Sequence, residues 1–376
     1  MIRVLQWRIG LSGDGVTRSV LDACRGLPAD SYAVIYLTGE RDTGACARMI
    51  GENARVLSLP VSPLFHPWRY RRAADRLLEK AECDVLHFNA SYFLSTYLLR
   101  EAKRRGMKVV LHAHSSEVDI VRPVKRRIFR ILHRLNRRRA VRCADELLTC
   151  SGAAASWIFG RAAGRARFWP NAVDTARYAY CPQTRREVRT GEEWDGRLVI
   201  GMVGRFAYPK NHAFALEVLE ALRRRRSGAL LVLAGAGELE ETIRRAAEER
   251  GLTEAVRFLG LRGDVDRLMQ GMDALLLPSR FEGLPLALME AQCAGLPCLV
   301  SEAVTEEAAV TDLVIRLPLG DAVKWAEQLT AMTRPEERWG RSGQVAAAGF
   351  DRRRRTKEVA ALYDQLMSEK PGGRER

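Results

Sequence analysis

Several absences narrow the field before any motif is read. Across 376 residues no apolar run approaches the roughly 18 to 20 residues that span a bilayer, so no stretch reads as a transmembrane helix. The eight cysteines include no CxxC pair and no His/Cys cluster at zinc-ligand spacing; Cys143 and Cys150 lie seven apart, Cys293 and Cys298 five apart. A zinc module and a disulfide framework are thereby set aside, and the thiols read as reduced core fillers of a cytoplasmic protein. The opening stretch MIRVLQWRIG is too short and too quickly interrupted for a signal peptide, and reads as a first core strand. There is no aromatic RNP-like motif, helix-turn-helix signal or basic run with interleaved stacking residues, so no specific nucleic-acid module is expected.

What is present is a chain long enough for two or three domains, 47% hydrophobic and 28% charged. Its formal charge of +15 is unevenly spread. Residues 1–180 hold 31 Lys+Arg against 16 Asp+Glu, whereas residues 181–376 hold 30 of each. The first half is therefore suited to something anionic, such as phospholipid, a lipid diphosphate or nucleic acid.

Short apolar segments alternate with helical ones, twice over. In the first half RVLQW, YAVIYL, ARVLSL, DVLHF, KVVLHAH and ELLTC read as strands; in the second, RLVIGMVG, ALLVLAG, AVRFLG, DALLLP and LPCLVS do. Apolar strands separated by helices imply an α/β chain with parallel sheets covered on both faces. Two doubly wound domains in series are expected, 1–178 and 179–355. A cleft is expected between the carboxyl ends of their sheets, and 356–376 closes the chain with a helix that can pack back on the first domain and a tail. The polar stretch WPNAVDTARYAYCPQTRREVRTGEEWDG reads as the linker, and KPGGRER as a frayed tail.

Chemistry concentrates in DALLLPSRFEGLPLALMEAQCAG. A strand ends at Pro278, SRFEG forms a loop, and a helix begins near Pro285. The N–H groups of Gly283, Leu284 and Leu286 would point from that helix start and can hold a phosphate. Glu290 is the lone acid in an otherwise apolar helix, where a carboxylate must be bonded to something; ribose hydroxyls would serve, as would a neighbouring backbone or arginine. Glu282 lies in the loop. In VGRFAYPKNHAFALEVL a strand delivers Gly204 and Arg205, and Lys210 precedes a helix; two such cations can neutralise a diphosphate without a metal. Gly235 and Gly237 in LAGAGE permit close backbone approach.

Together these segments resemble the retaining glycosyltransferases of family 4, which have the GT-B architecture of two facing Rossmann-like domains. The family's E-x7-E motif is matched by Glu282 and Glu290, its Arg/Lys pair by Arg205 and Lys210, and its glycine turn by LAGAGE. The run from Gly260 to Val304 looks most like the exopolysaccharide and capsule branch. The resemblance implies transfer of a sugar from a nucleotide-sugar, UDP first by base rate, to a glycan or lipid-diphosphate-linked acceptor with retention and no metal. It also implies roles. Arg205 and Lys210 would hold the diphosphate, Glu290 the ribose, Glu282 the sugar hydroxyls, and backbone at 261–264 the base.

In the first half, His112 and His114 end a strand two residues apart and point the same way. By the resemblance His114 contacts the transferring sugar, with His112 the second candidate and a packed, bonded histidine the plainer reading. The family's GGAE-like loop is replaced by LSGDGVTRS, which keeps Gly13 and Gly15 for acceptor contact but inserts Asp14 and lacks the Glu. Residues 122–142 hold ten Lys/Arg and no acid, with Val124, Ile128, Ile131, Leu132 and Leu135 at helical spacing. That is a basic amphipathic helix suited to an anionic membrane, or else a surface helix with a core-facing stripe. Membrane contact implies a peripheral location at the cytoplasmic face. A nucleotide-sugar epimerase or phosphorylase could share the architecture, but not this combination of Arg205, Lys210, Glu282 and Glu290; a basic nucleic-acid-binding protein is the other rival.

Overall fold

The computed structural model describes residues 1–10, 14–51, 54–332 and 338–369; the tail KPGGRER lies outside them. The chain divides into two compact units, Met1–Asn171 together with the chain from Arg352 on, and Ala172–Asp351.

The first unit is built on β1 (Ile2–Ile9), β2 (Tyr32–Thr38), β3 (Arg55–Ser58), β4 (Val85–Ala90), β5 (Lys108–Ala113), β6 (Glu146–Thr149) and β7 (Arg167–Phe168). They form a parallel sheet in the order β3-β2-β1-β4-β5-β6-β7. The second holds β8 (Val199–Val203), β9 (Leu230–Ala234), β10 (Val256–Gly260), β11 (Ala274–Leu277), β12 (Cys298–Ser301) and β13 (Val314–Leu317). Their parallel order is β10-β9-β8-β11-β12-β13. Both sheets are doubly wound and Rossmann-like. In each the order reverses beside the first strand, β1 against β4 and β8 against β11, the place where this architecture opens a crevice at the strand ends.

The reason for the parallel arrangement is visible in burial. Residues of β4, β8, β9, β11 and β12 are buried throughout, as strands covered on both faces must be. Seven of the eight cysteines are buried free thiols that fill these cores, and Cys181 alone is exposed.

One stretch differs from the sequence reading, and the place of the closing helix agrees with it. The stretch read as a linker contains the helix Pro182–Gly191, which belongs to the second unit. Its Arg185 and Arg189 bind Asp273 at 2.5 and 3.2 Å and the carbonyls of residues 270–272, so apparent polarity here is internal wiring. The C-terminal helix Arg352–Ser368 belongs to the first unit. It buries Val359, Leu362, Tyr363 and Leu366 with Val4, Val85, Val110 and Leu148 of the sheet. Tyr32 Oη donates to Asp364 Oδ1 at 2.7 Å and ties it to β2.

Candidate active site

In the second unit the strand-end loops form one tightly laced patch. Gly204 N donates to Ala234 O at 2.9 Å, Phe206 N to Ala236 O at 3.1 Å, and Gly235 N to Gly260 O at 2.8 Å. The glycines are required for this lacing. Gly235 has φ +151°, and a Cβ there would stand 2.0 Å from Gly204 O; at Gly237 it would stand 2.5 Å from Phe206 O. Sequence reasoning assigned both glycines to close approach of a ligand. The structure shows them serving the approach of the loop after β8 to the loop after β9.

That lacing sets Lys210 above Gly204, where an added Cβ would lie 3.1 Å from the lysine Cε. Lys210 Nζ then reaches across to the loop after β11 and pairs with Glu282 Oε1 at 2.7 Å; Ser279 Oγ donates to the same oxygen at 2.7 Å. Both charged side chains are largely buried. The two members of the sequence motifs are therefore brought together directly, a pairing that spacing alone did not show. Arg205, on the same loop, is half-buried, and Arg280 Nη2 donates to Asn211 Oδ1 at 2.7 Å.

Beyond the loop, the helix Leu286–Cys293 starts one residue later than expected. Pro285 is its N-cap rather than its first helical residue, and its carbonyl accepts from Leu288 N. Every residue of the helix is buried, so it has no polar face. Glu290 is only 1% exposed. Gln292, the other polar residue, is bound through Nε2 to Ala308 O at 2.8 Å and through Oε1 to Val310 N and Thr311 N at 2.9 Å. Gly283 and Leu284 are buried beside the helix start.

The first unit gathers its polar groups at the equivalent place. His112 and His114 lie with ring centroids 3.9 Å apart, and His87 from β4 lies 5.6 Å from His112. All three are buried. Burial pushes His87 down to about 3 and His114 to about 4, the latter partly offset by Asn171 and the Asp14 carboxylate; His112 is held well below its ordinary value, again by burial first. All three are neutral at neutral pH. His112 Nε2 donates to Trp169 O at 3.1 Å and His114 Nε2 faces Asn89 Oδ1 at 2.9 Å.

Asp14, the residue that departs from the family loop, is the N-cap of the helix Gly15–Cys24 and accepts from Thr17 N at 2.8 Å. Gly15 opens that helix with nothing within 4 Å of a Cβ position, whereas Gly13 lies outside the described residues. Asn89, Gln6 and Tyr363 were missed by sequence reasoning. They carry no motif, and only their burial beside the histidines reveals them. Among the described residues no group of three or more His, Cys, Asp and Glu side chains is arranged to hold a metal ion.

The basic helix spans Pro123–Cys143 and has two apolar faces. Phe129, His133, Ala140 and Cys143 are buried against the unit. Val124, Ile128, Ile131 and Leu135 form a separate stripe, 45 to 73% exposed. The core-facing reading of that stripe is therefore wrong, and Leu132, grouped with it from spacing, sits half-buried to one side. Arg137 also leaves the solvent face, donating to Trp157 O at 3.3 Å. No helix among the described residues is long and apolar enough to cross a membrane.

Comparison with known proteins agrees with this architecture. Residues 13–177 match the model described as Glycosyltransferase Family 4, and residues 184–333 match Glycosyl transferases group 1. EpsF of Bacillus subtilis (strain 168), a protein named as a glycosyltransferase, is 28% identical over 99% of this chain and 98% of its own. The UDP-Gal:alpha-D-GlcNAc-diphosphoundecaprenol alpha-1,3-galactosyltransferase of Escherichia coli is 23% identical over 76% of each chain. Among solved structures, Alr3699/HepE of Anabaena with UDP-glucose superposes with a TM-score of 0.78 at 18% identity, covering 97% of this chain and all of the other, a likeness of fold. With two glycosyltransferase modules in tandem, each on its own Rossmann-like sheet, this chain is a glycosyltransferase of GT-B architecture.

Proposed function

We propose that the protein transfers a sugar from a nucleoside-diphosphate sugar, UDP-linked, to a glycan or lipid-diphosphate-linked acceptor, with retention of anomeric configuration and without a metal. The observation that carries this reading is the Lys210–Glu282 pair at the β8/β11 reversal, beside a helix that buries Glu290. Lys210 and Arg205 supply the positive charge that a departing diphosphate needs. Lys210 exchanges its carboxylate partner for phosphate oxygen, and Glu282, released from it, accepts hydrogen bonds from sugar hydroxyls. Glu290 binds the ribose hydroxyls, the amides of Gly283, Leu284 and Leu286 meet the phosphates, and His114 contacts the transferring sugar. In the reaction the bond from anomeric carbon to diphosphate oxygen breaks, and the electron pair leaves with the nucleoside diphosphate. The acceptor oxygen bonds the same face of that carbon, and its proton passes to the departing phosphate oxygen.

Supporting relatives include the E. coli protein whose name specifies UDP-Gal and a diphosphoundecaprenol acceptor, and the HepE structure with UDP-glucose. The likeness of Gly260–Val304 to the exopolysaccharide and capsule branch, with 33% identity over 30% of this chain to a Vi polysaccharide biosynthesis protein of Salmonella typhi, favours a place in polysaccharide synthesis. The exposed stripe Val124, Ile128, Ile131 and Leu135, flanked by Arg127, Arg134, Arg138 and Arg139, suits the cytoplasmic face of an anionic membrane as a peripheral dock. Phe65 and Trp68 stand exposed at the start of another helix in the same layer.

The deciding experiment is a thermal-shift panel of nucleotides and nucleotide-sugars on the wild type, Glu290→Ala and Glu290→Gln. UDP-sugars should raise Tm of the wild type and leave both variants unmoved. A wild type stabilised by no nucleotide-sugar would end the reading.

A further inference from the structure

Behind His114 the first unit holds a chain of hydrogen bonds that a sugar contact alone does not require. Its anchor is Trp7 O, a backbone carbonyl that can only accept. Asn89 Nδ2 donates to it at 2.6 Å and to Gln6 Oε1 at 3.1 Å. Both amide hydrogens of Asn89 are thus engaged, and its Oδ1 is the atom facing His114 Nε2 at 2.9 Å. An amide oxygen accepts, so the ring nitrogen donates. A neutral imidazole carries one N–H, which leaves Nδ1 with a lone pair. Nδ1 is buried and makes no hydrogen bond among the described residues.

The orientation of Gln6 is set from its other end. Its Nε2 donates to Tyr363 Oη at 2.8 Å, and that hydroxyl is left to donate to His87 Nδ1 at 2.9 Å. Gln6, His87, Asn89 and Tyr363 are all buried, where hydrogen bonds in a chain reinforce one another. Tyr363 stands on the helix Arg352–Ser368, nearly the full chain length away from Gln6. One competing partner exists. Asn171, whose Oδ1 accepts from Ser19 Oγ at 2.9 Å, flanks the His114 ring and favours its protonated form. A neutral ring cannot donate to both amides.

We propose that Asn89 is a positioning residue that holds His114 as the Nε2–H tautomer, so that Nδ1 meets substrate only as an acceptor and selects a hydroxyl. The selection is braced from the C-terminal helix through Gln6 and Tyr363. This rests on the reading of His114 as a sugar contact. A sugar whose facing hydroxyl is replaced by fluorine offers no donor and is discriminated against.

The test uses the full chain with 15N-labelled histidine and the UDP-sugar that the thermal-shift panel selects, with its deoxy and fluoro analogues. Wild type should show His114 protonated on Nε2, and Asn89→Ala a mixture of tautomers. Loss of the outer partner of a metal-bound histidine costs about 10- to 100-fold. A fall of that size in kcat is expected for Asn89→Ala, with donor KM within about twofold and discrimination against the fluoro analogue lost. Tyr363→Phe should lower kcat about threefold and keep the discrimination partly; it also serves if Asn89→Ala does not fold. A wild-type ring protonated on Nδ1 would overturn the proposal, as would an Asn89→Ala protein with unchanged tautomer and unchanged kcat. Full turnover in His114→Ala would instead remove the sugar-contact reading and leave the tautomer assignment standing.

Discussion

The two units share a winding and a reversal point, yet they solve the burial of polar groups in opposite ways. The first unit counts 38 Lys+Arg against 19 Asp+Glu over residues 1–171 and 352–376, and the second 23 against 27. The positively charged unit nevertheless keeps the three histidines gathered there neutral, stripped of charge by burial. The second unit, nearly balanced overall, buries an ion pair at its strand ends, Lys210 on Glu282, and keeps the carboxyl of Glu290 inside an apolar helix. Similar scaffolds thus carry a neutral acceptor-and-donor set in one place and an ionic set in the other. Chemistry resides in the loops at the strand ends, not in the fold.

The sharpest way to break this comparison is through the glycines. Gly235→Ala should cost about 3 kcal/mol or more, since strain at φ +151° adds to a clash with Gly204 O, and urea unfolding will show it. Gly15→Ala, at a helix start with open space around it, should change stability by under about 1 kcal/mol. Equal losses would show that the two reversal points are built alike.

Next in size is the ionic pair. Lys210→Ala should lower kcat/KM for the nucleotide-sugar by about 10²- to 10³-fold, the loss typical of one charge-stabilising group. Lys210→Arg should recover part of it. Steady-state kinetics on both variants will decide whether the cation or the shape matters.

Acid should separate the units further. His87, His114 and His133 are held at about 3, 4 and 4, and His112 well below its ordinary value, against about 6.5 in an unfolded chain. Between those values the unfolded state binds more protons, so stability is complete above about pH 6.5 and falls as pH drops toward 4. Each histidine contributes a slope of up to about 1.4 kcal/mol per pH unit. The second unit has one such group, His212, at about 3. Denaturation midpoints between pH 7 and 4 should therefore fall faster for a first-unit probe than for a second-unit probe.

The smallest effect on stability is expected from the basic helix. Changing Arg127, Arg134, Arg138 and Arg139 to Gln should alter stability by no more than about 0.5 kcal/mol for each surface substitution. Sedimentation with anionic liposomes should nevertheless be lost. Retained binding would refute the membrane contact and leave the charge asymmetry without this use.

Much of the second unit was legible because its signals are local. An apolar strand, a turn and a lone acid in an apolar helix fall within one stretch, with Glu282 in the turn and Glu290 in the helix, and Arg205 and Lys210 follow the end of another apolar strand. The first unit was less legible. Asn89 and Gln6 look like any polar residues in a strand, and Asp14 looked like a disruption of a ligand loop, although it caps a helix. The stripe on the basic helix was found, but periodicity gives only the spacing of a face and not the side it turns toward.

Apolar runs alternating with helical segments, and the placement of glycine and proline, determined an α/β chain of two doubly wound sheets, with its polar chemistry at the strand ends. These depend on neighbours in the chain, and a sequence displays its neighbours. The tertiary structure alone decided that Lys210 meets Glu282 across 72 positions, and that a tyrosine near the C-terminus closes on a glutamine in the first strand. It also decided that the glycine turns grip each other. Such contacts join segments whose separation along the chain leaves no mark on either, and they exist only once the hydrophobic faces have been buried together.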